Sequence, residues 1–329
     1  MPTPVLICDD SSFARKQMAR ALPKGWDVDV SFAGNGAEAL VAIKSGKADI
    51  LFLDLNMPVM DGYETLATIR ALDLPTLTIV VSGDIQPEAQ ARVTQLGAMA
   101  FLKKPVSEEE IAQVLTRYGI RGTDKAGAAP VQVEVDIRDG YKEVANVAMG
   151  QAADFLARLL NVFVLMPVPH VNMIDSADLR MALGAVAAGE NVSAVCQGFI
   201  GAGIAGEALL LFHESSFQDI AELTQYQGEI DESAELELLM DMANILIGAC
   251  LKGLADQLEV TFSQGPPVVL GRHVKVSDLL KGNVLRWKQT LAIEMGYRIE
   301  NRKISCDLLL LLTEDSITPL NKRLQYLIG

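Results

Sequence analysis

Four short apolar runs lie in the first third of the chain, and each stops on polar residues. Val5, Leu6, Ile7 and Cys8 end at Asp9 and Asp10, and Ile50, Leu51, Phe52 and Leu53 end at Asp54. Thr78, Ile79, Val80 and Val81 end at Ser82 and Gly83, while Ala100, Phe101 and Leu102 lead into Lys103, Lys104 and Pro105. Runs that are apolar at consecutive positions read as strands of a parallel sheet buried on both faces. Between them, residues 11–22, 37–44, 63–71 and 88–95 carry apolar residues at helical spacing. The alternation predicts an α/β doubly wound parallel domain over residues 1–120, with ligands beyond the carboxyl ends of the strands. Asp9, Asp10, Asp54, Ser82 and Lys104 all fall at such ends.

After Gly119 the pattern stops. Gly119, Gly122, Thr123, Gly127, Ala128, Ala129 and Pro130 have the composition of a flexible linker, bounded here as residues 121–134. A second domain, residues 135–329, then opens on a new periodicity. Val144, Val147, Ala148, Gln151, Ala152, Phe155 and Leu159 form a stripe of near 3.6 period, and so do Leu236, Met240, Ala243, Ile247, Cys250 and Leu254. Strand-rich stretches, residues 193–212 and 297–312, close the two halves. Helix plus hairpin, occurring twice, predicts a pseudo-symmetric α+β domain with two internal repeats.

A polar ridge runs beside each stripe. Asp139, Glu143 and Asn146 are followed by Pro169, and Glu237, Asp241 and Asn244 by Pro267, with corresponding members 98 positions apart. Spacings of four and three put each acidic pair and its carboxamide on one helix face. Each ridge runs on to a glycine, Gly150 or Gly248, which is expected to clear room for another backbone.

Composition narrows the function. A chain of 329 residues that is 50% hydrophobic and 21% charged can build two cores. A net charge of -14 and a pI near 4.7 argue against a nucleic-acid partner, which needs clustered Lys and Arg. Cys8, Cys196, Cys250 and Cys306 sit apart in apolar runs and read as buried free thiols. With no basic start leading into an apolar stretch, and no apolar run near ~18 residues, the expectation is a cytoplasmic protein without membrane insertion. His170, His213 and His273 are scattered, and no catalytic role is assigned to them.

Carboxylates converging at strand ends repel one another unless a hard cation lies among them, and oxygen ligands suit Mg2+. A Ser hydroxyl and a Lys ammonium beside them would cradle a phosphoryl group. With these features in place, residues 1–120 resemble the receiver domain of two-component response regulators. The resemblance rests on Asp9 and Asp10, the run from Asp54 through Asn56, Pro58, Asp61 and Gly62, then Ser82 and Gly83, and Lys104 with Pro105. It implies a five-stranded sheet, phosphorylation of Asp54 by a sensor histidine kinase, and Mg2+ held by Asp9, Asp10, Asp54 and the Asn56 carbonyl. Ser82 and Lys104 would contact the phosphoryl group, and Phe101 stands where the family has a switch aromatic.

The spacing acidic-x3-acidic-x2-Asn-x22-Pro resembles the signature of the CheC/CheX/FliY family of chemotaxis phosphatases, which hydrolyse the aspartyl phosphate of receivers. It implies that Asn146 holds a water and Glu143 pairs with a receiver Lys, with Asp139 and Pro169 as motif members. The second copy departs from the family: Asp241 replaces Glu, and Glu237 stands where Ser or Asp is usual. Asp241 and Asn244, with Glu237 and Pro267, are therefore a second candidate site whose activity is left open. The substrate is a phosphorylated receiver: this chain's own, that of a homodimer partner, or a separate protein. A non-catalytic scaffold that binds another chemotaxis protein is the rival reading.

Overall fold

The computed structural model describes residues 2–120, 135–174, 191–213, 217–224, 226–275 and 290–328. The chain divides into two compact units, Met1–Glu143 and Val144–Leu327. The linker read over residues 121–134 lies outside the described residues.

The first unit alternates strand and helix. In order it has β1 (Thr3–Cys8), α1 (Ser12–Ala21), β2 (Val28–Ala33), α2 (Gly36–Lys44), β3 (Ile50–Leu53), α3 (Gly62–Ala71), β4 (Leu77–Ser82), α4 (Pro87–Gln95), β5 (Ala100–Lys103) and α5 (Glu108–Arg117). The strands form a five-stranded sheet of order β2-β1-β3-β4-β5, parallel throughout. Alternate residues of each apolar run feed opposite faces. Leu6, Leu51, Leu53 and Val80 join Leu40, Ile43, Leu66 and Ile69 on one side. On the other, Val5, Ile7, Phe52 and Ile79 join Met18, Ile111, Val114 and Leu115. The strand that the apolar runs did not reveal is β2. It lies at the sheet edge, where half-exposed residues alternate with polar ones, so no continuous run marks it. Helix α5 was also unread, although Ser107 and Glu110 form a full capping box at its start.

Register places the strand ends side by side. Cys8 pairs with Leu53, and the Asp54 N–H donates to the Cys8 carbonyl at 2.9 Å. Ser82 pairs with Lys103, and the Lys104 N–H donates to the Ser82 carbonyl at 3.0 Å. The chain leaves β1 for β2 on one side and returns to β3 on the other, so Asp9 and Asp54 stand at the topological switch point.

The second unit is a mixed α+β layer. Its elements are α6 (Ile137–Leu160), whose residues up to Glu143 belong to the first unit, β6 (Val164–Leu165), β7 (His170–Ile174), β8 (Asn191–Gly201), β9 (Ile204–His213) and α7 (Phe217–Leu223). Then come α8 (Glu232–Leu258), β10 (Ser263–Gln264), β11 (Val268–Lys275), β12 (Thr290–Ile299), β13 (Ser305–Thr313), a 3-10 turn (Glu314–Ser316) and α9 (Ile317–Ile328). Eight antiparallel strands form one sheet along β10-β8-β9-β13-β12-β6, with β11 also on β8 and β7 also on β12. The strands that follow each long helix pair with the hairpin of the other half: β6 and β7 with β12, β10 and β11 with β8. Neither half can complete its sheet alone.

Helix α8 packs on β8 and β9, and Cys250 Sγ lies 3.7 Å from Met295 Sδ on β12. By length and apolarity α8 could cross a membrane, but most of its apolar window is buried, as in the core helix of a globular unit. The apolar stripes need correcting at their ends. Phe155 and Leu159 are exposed while Leu156 and Leu160 are buried, and Leu236 is exposed while Leu238 and Leu239 are buried. The buried face of α6 therefore turns away from the expected line in its last two turns. The expected role of Gly248 also moves. Among the described residues a Cβ on Gly248 would meet nothing within 4 Å, whereas one on Gly253 would lie 2.8 Å from the Ala148 Cα. The close approach of the two long helices is thus at Gly253.

These two glycines should respond in opposite directions. Gly253→Ala forces α6 and α8 apart and should destabilise by about 1–3 kcal/mol. Gly248→Ala gains helix propensity with no clash and should stabilise by up to about 1 kcal/mol. Urea unfolding midpoints of the two variants check this, and a destabilised Gly248→Ala would count against the packing described.

Candidate functional site

The strand ends of the first unit build a pocket around one lysine. Lys104 Nζ lies 2.6 Å from Asp9 Oδ2, 2.9 Å from Asp54 Oδ1 and 3.2 Å from Glu143 Oε1. All four side chains are buried. Asp54, at 2% exposure, is fixed from two more directions. The Asn56 N–H donates to its Oδ2 at 2.9 Å. Behind it, the start of α3 comes so close that a Cβ on Gly62 would lie 2.3 Å from the Asp54 carbonyl oxygen. Only glycine fits there. Asp9 accepts from the Ser11 N–H at 2.9 Å, and its carbonyl accepts from Arg15 Nη1 at 2.6 Å.

Local chemistry explains the loop conformations. Ser11 caps α1 through its hydroxyl, which accepts from the Ala14 N–H, and Asp61 and Glu64 form a capping box on α3. Val59, in the loop after Asp54, has a φ of 70° and is exposed. A β-branched residue rarely adopts that backbone, so this loop carries strain of roughly 1–3 kcal/mol beside the pocket.

Electrostatics follow from burial. Burial raises the Asp54 carboxyl well above its usual range, with Lys104 pulling it down and Asp9 and Glu143 pushing it up. Glu143 is pushed up to about 7, chiefly by burial, against the pull of Lys104. Asp10, half-buried beside the pocket, is raised to about 6 by burial and by Asp9. Burial alone would lower Lys104, but Asp54, Asp9 and Glu143 reverse this and raise it. The pocket holds more negative charge than its one ammonium balances.

The oxygen donors of Asp9, Asp10, Asp54 and the Asn56 carbonyl have the hardness a divalent cation such as Mg2+ requires, and burial, with the nearby Asp9 carboxylate, raises the carboxyls of Asp10 and Asp54 in its absence. Among the described residues no three acidic, His or Cys groups already stand in a metal-holding arrangement. The Lys104 ammonium lies between Asp9 and Asp54 instead. Ser82 is fully buried at the end of β4, its Oγ accepting from the Asp84 N–H at 3.0 Å, and Phe101 is half-buried on β5.

The residues of α6 up to Glu143 bring two motif members into this unit. Glu143 reaches Lys104, and Asp139 reaches Ser12. Asp139 Oδ2 accepts from the Ser12 hydroxyl at 2.5 Å and from the Ser12 N–H at 3.1 Å. Ser12 was not singled out in the sequence. Its only signal was a second serine directly after the Asp9, Asp10, Ser11 run. Asn146 and Pro169 belong to the second unit, and both are buried. The second quartet differs in exposure. Glu237, Asp241 and Asn244 are all exposed on α8, and Pro267 is half-buried.

The four cysteines are free. Cys8, Cys250 and Cys306 are buried, and Cys196 is half-buried. Burial raises every one of these thiols, Cys196 and Cys250 to about 12.

Residues 5–116 match the family model described as response regulator receiver domain. The probable transcriptional regulatory protein NarL of Mycobacterium tuberculosis is 32% identical over 173 residues, spanning 48% of this chain and 79% of that protein. The protein-glutamate methylesterase/protein-glutamine glutaminase of Bacillus licheniformis is 40% identical over 104 residues, 31% of this chain and 29% of the relative. Among solved structures, the crystal structure of Thermotoga maritima FliY covers 59% of this chain and 99% of its own, with 19% identity and a TM-score of 0.45.

Charge balance makes a prediction of opposite signs for two variants, measured with a chelator present. Lys104→Met leaves three buried carboxylates without a counter-ion and should cost about 3–5 kcal/mol. Asp54→Asn removes a charge whose folded-state pKa is raised, and so should stabilise. A group of that kind contributes most below its unfolded pKa and loses its contribution as pH rises through the folded one. The gain from Asp54→Asn should therefore be larger at pH 8 than at pH 5. Urea unfolding at both pH values decides it, and an equal gain at the two would contradict the raised carboxyl.

Proposed function

We propose that this chain, which belongs to the response regulator receiver family, accepts a phosphoryl group on Asp54 and carries its own class of activity for removing such groups. The phosphodonor is a sensor histidine kinase. Asp9, Asp10, Asp54 and the Asn56 carbonyl hold Mg2+, which when bound neutralises charge on the phosphoryl oxygens. Ser82 and Lys104 hold the phosphoryl group, and Phe101 reports its presence to the outer face. Residues 135–329 are a pseudo-symmetric CheC-like domain, in which the order of helix, short strand, strand and hairpin, present twice, reflects two internal repeats. It hydrolyses the aspartyl phosphate of a receiver and so ends a chemotaxis-type signal.

One observation carries this reading: the carboxylate of Glu143 pairs with Lys104, beside Asp54. A motif carboxylate that reaches a receiver lysine is what docking onto a receiver site requires. Asn146 lies three residues further along α6, on the same face as Glu143. An acyl phosphate has a good leaving group, so catalysis needs mainly a water held in line. A carboxamide can hold that water by hydrogen bonding without bringing further negative charge to the phosphoryl oxygens. The water oxygen bonds to phosphorus as the bond from phosphorus to the receiver's aspartyl carboxylate oxygen breaks. The electron pair leaves with the carboxylate, and the water protons pass to phosphate or solvent.

The second quartet is the weaker candidate. Asp241 is one methylene shorter than the glutamate it replaces, and its ridge is exposed.

The test loads Asp54 with radiolabelled phosphate and follows its loss. Asn146→Ala should slow decay roughly 10²-fold, the size expected when a reacting water is no longer positioned, and Asn244→Ala should change it little. Decay that is the same in wild type, in both single variants and in the double variant would exclude hydrolysis of the chain's own aspartyl phosphate. An isolated phosphorylated receiver is then supplied as substrate, and indifference there too would leave the scaffold reading in place of the phosphatase.

A further inference from the structure

We propose that the start of α6 is a built-in competitor of the incoming phosphoryl group: anchored on α1 by Asp139, it holds Glu143 on Lys104 and so restrains the loading of Asp54. This rests on the reading of Asp54 as phosphoacceptor and Lys104 as phosphoryl contact, and it needs no phosphatase activity. Every group in the contact belongs to the first unit, Met1–Glu143.

The anchor is built at the start of α1. Asp139 Oδ2 accepts from both the N–H and the hydroxyl of Ser12, at 3.1 and 2.5 Å, and the Asp139 carbonyl accepts from the Ser11 hydroxyl at 3.4 Å. Ser12 Oγ in turn accepts from the Asp136 N–H at 3.4 Å. Helix α1 has no acidic residue in its first turn, and its leading N–H groups, which lack partners within the helix, favour a nearby carboxylate. Asp139 supplies one. A turn further on, Glu143 meets the Lys104 ammonium with both oxygens, Oε1 at 3.2 Å and Oε2 at 3.4 Å. Two contacts four residues apart thus fix both the position and the direction of this stretch.

Loading calls on the same ammonium. An Asp54 carboxylate oxygen bonds to the donor's phosphorus as the bond from phosphorus to the leaving oxygen breaks, and the electron pair departs with that oxygen. Negative charge on the phosphoryl oxygens then needs a cation beside Asp54, and Lys104 Nζ is 2.9 Å from Asp54 Oδ1. Glu143 holds that cation and repels the arriving anion. Of the three carboxylates on Lys104, Asp9 lies at 2.6 Å, Asp54 at 2.9 Å and Glu143 at 3.2 Å. Asp9 and Asp54 are fixed at strand ends, so Glu143 is the one that can leave. A stretch docked in about nine molecules of ten lowers the loading rate roughly tenfold, since only the open form is competent.

Asp139 is a positioning residue here, since it acts through the placement of Glu143. The experiment uses full-length chains, all carrying Asn146→Ala so that hydrolysis assigned to that residue does not enter, and follows initial label uptake from radiolabelled acetyl phosphate with Mg2+. Glu143→Gln should load about tenfold faster than its parent. Asp139→Ala leaves Glu143 present but removes its anchor, and should load roughly threefold faster. The double variant should load no faster than Glu143→Gln alone, because both changes undo one contact. Titration calorimetry with beryllofluoride and Mg2+, a stand-in for the phosphoryl group, should rank the affinities in the same order. Equal uptake by the parent and Glu143→Gln would overturn the inference while leaving Asp54 as phosphoacceptor. An Asp139→Ala chain that behaves as its parent would reduce Glu143 to a pocket charge and overturn the anchored competitor. Chains that take neither label nor beryllofluoride would refute the phosphoacceptor reading, and the inference would fall with it.

Discussion

One ammonium group, shared among three buried carboxylates, is the constraint on which the first unit depends. Lys104 touches Asp9, Asp54 and Glu143 within 3.2 Å. Removing four ionisable groups from water is expensive, and the mutual attraction offsets it only when the geometry is tight. The sheet provides that geometry. Pairing of Cys8 with Leu53 and of Ser82 with Lys103 sets Asp9, Asp54 and Lys104 at adjacent strand ends. Gly62 lets α3 close behind Asp54, and Ser11 turns the chain away from Asp9 into α1. The strained loop at Val59 lies within the same turn of chain. Its position beside the most highly charged part of the unit is where strain tends to be tolerated.

The second unit solves a different problem. Its two long helices and two hairpins are held together by exchange, since the strands after each helix complete the other half of the sheet. That arrangement couples the halves while leaving each polar ridge free to change. Packing is strict where α8 meets Ala148, at Gly253. Among the described residues nothing lies within 4 Å of a Cβ placed on Gly248, and the Glu237, Asp241 and Asn244 ridge beside it is exposed. Substitution of Glu by Asp in an exposed ridge costs the fold little. In α6 the same substitution at Glu143 would withdraw a carboxylate from a buried lysine.

Much of this was legible in the chain. Continuous apolar runs ending on Asp, Ser and Lys revealed four of the five parallel strands, and their ends marked the pocket. The edge strand β2 escaped because an exposed edge carries alternation instead of a run. The helical stripes predicted α6 and α8, but they misjudged which leucines are buried at the ends, where cover comes from elements distant in sequence. Spacing put Asp139 and Glu143 on one face without saying what they touch. Ser12 shows why: its partner is 127 residues away, and a serine that begins a helix looks the same whether it faces water or a carboxylate. The linker reading stands on composition alone.

Charge accounting also bears on why a carboxamide follows Glu143 along the helix. Asp9, Asp54 and Glu143 surround Lys104, and burial already raises the carboxyls of Asp54, Glu143 and nearby Asp10 above their ordinary range. A phosphoryl group on Asp54 would replace one negative charge by two. It would also compete with Glu143 for the same ammonium, which already lies within 3.2 Å of three carboxylates. Within α6 an acid at position 146 would stand as a like charge three residues from Glu143, and a carboxamide does not. On the proposed reading, a neutral group that both donates and accepts can hold a water without adding to that charge.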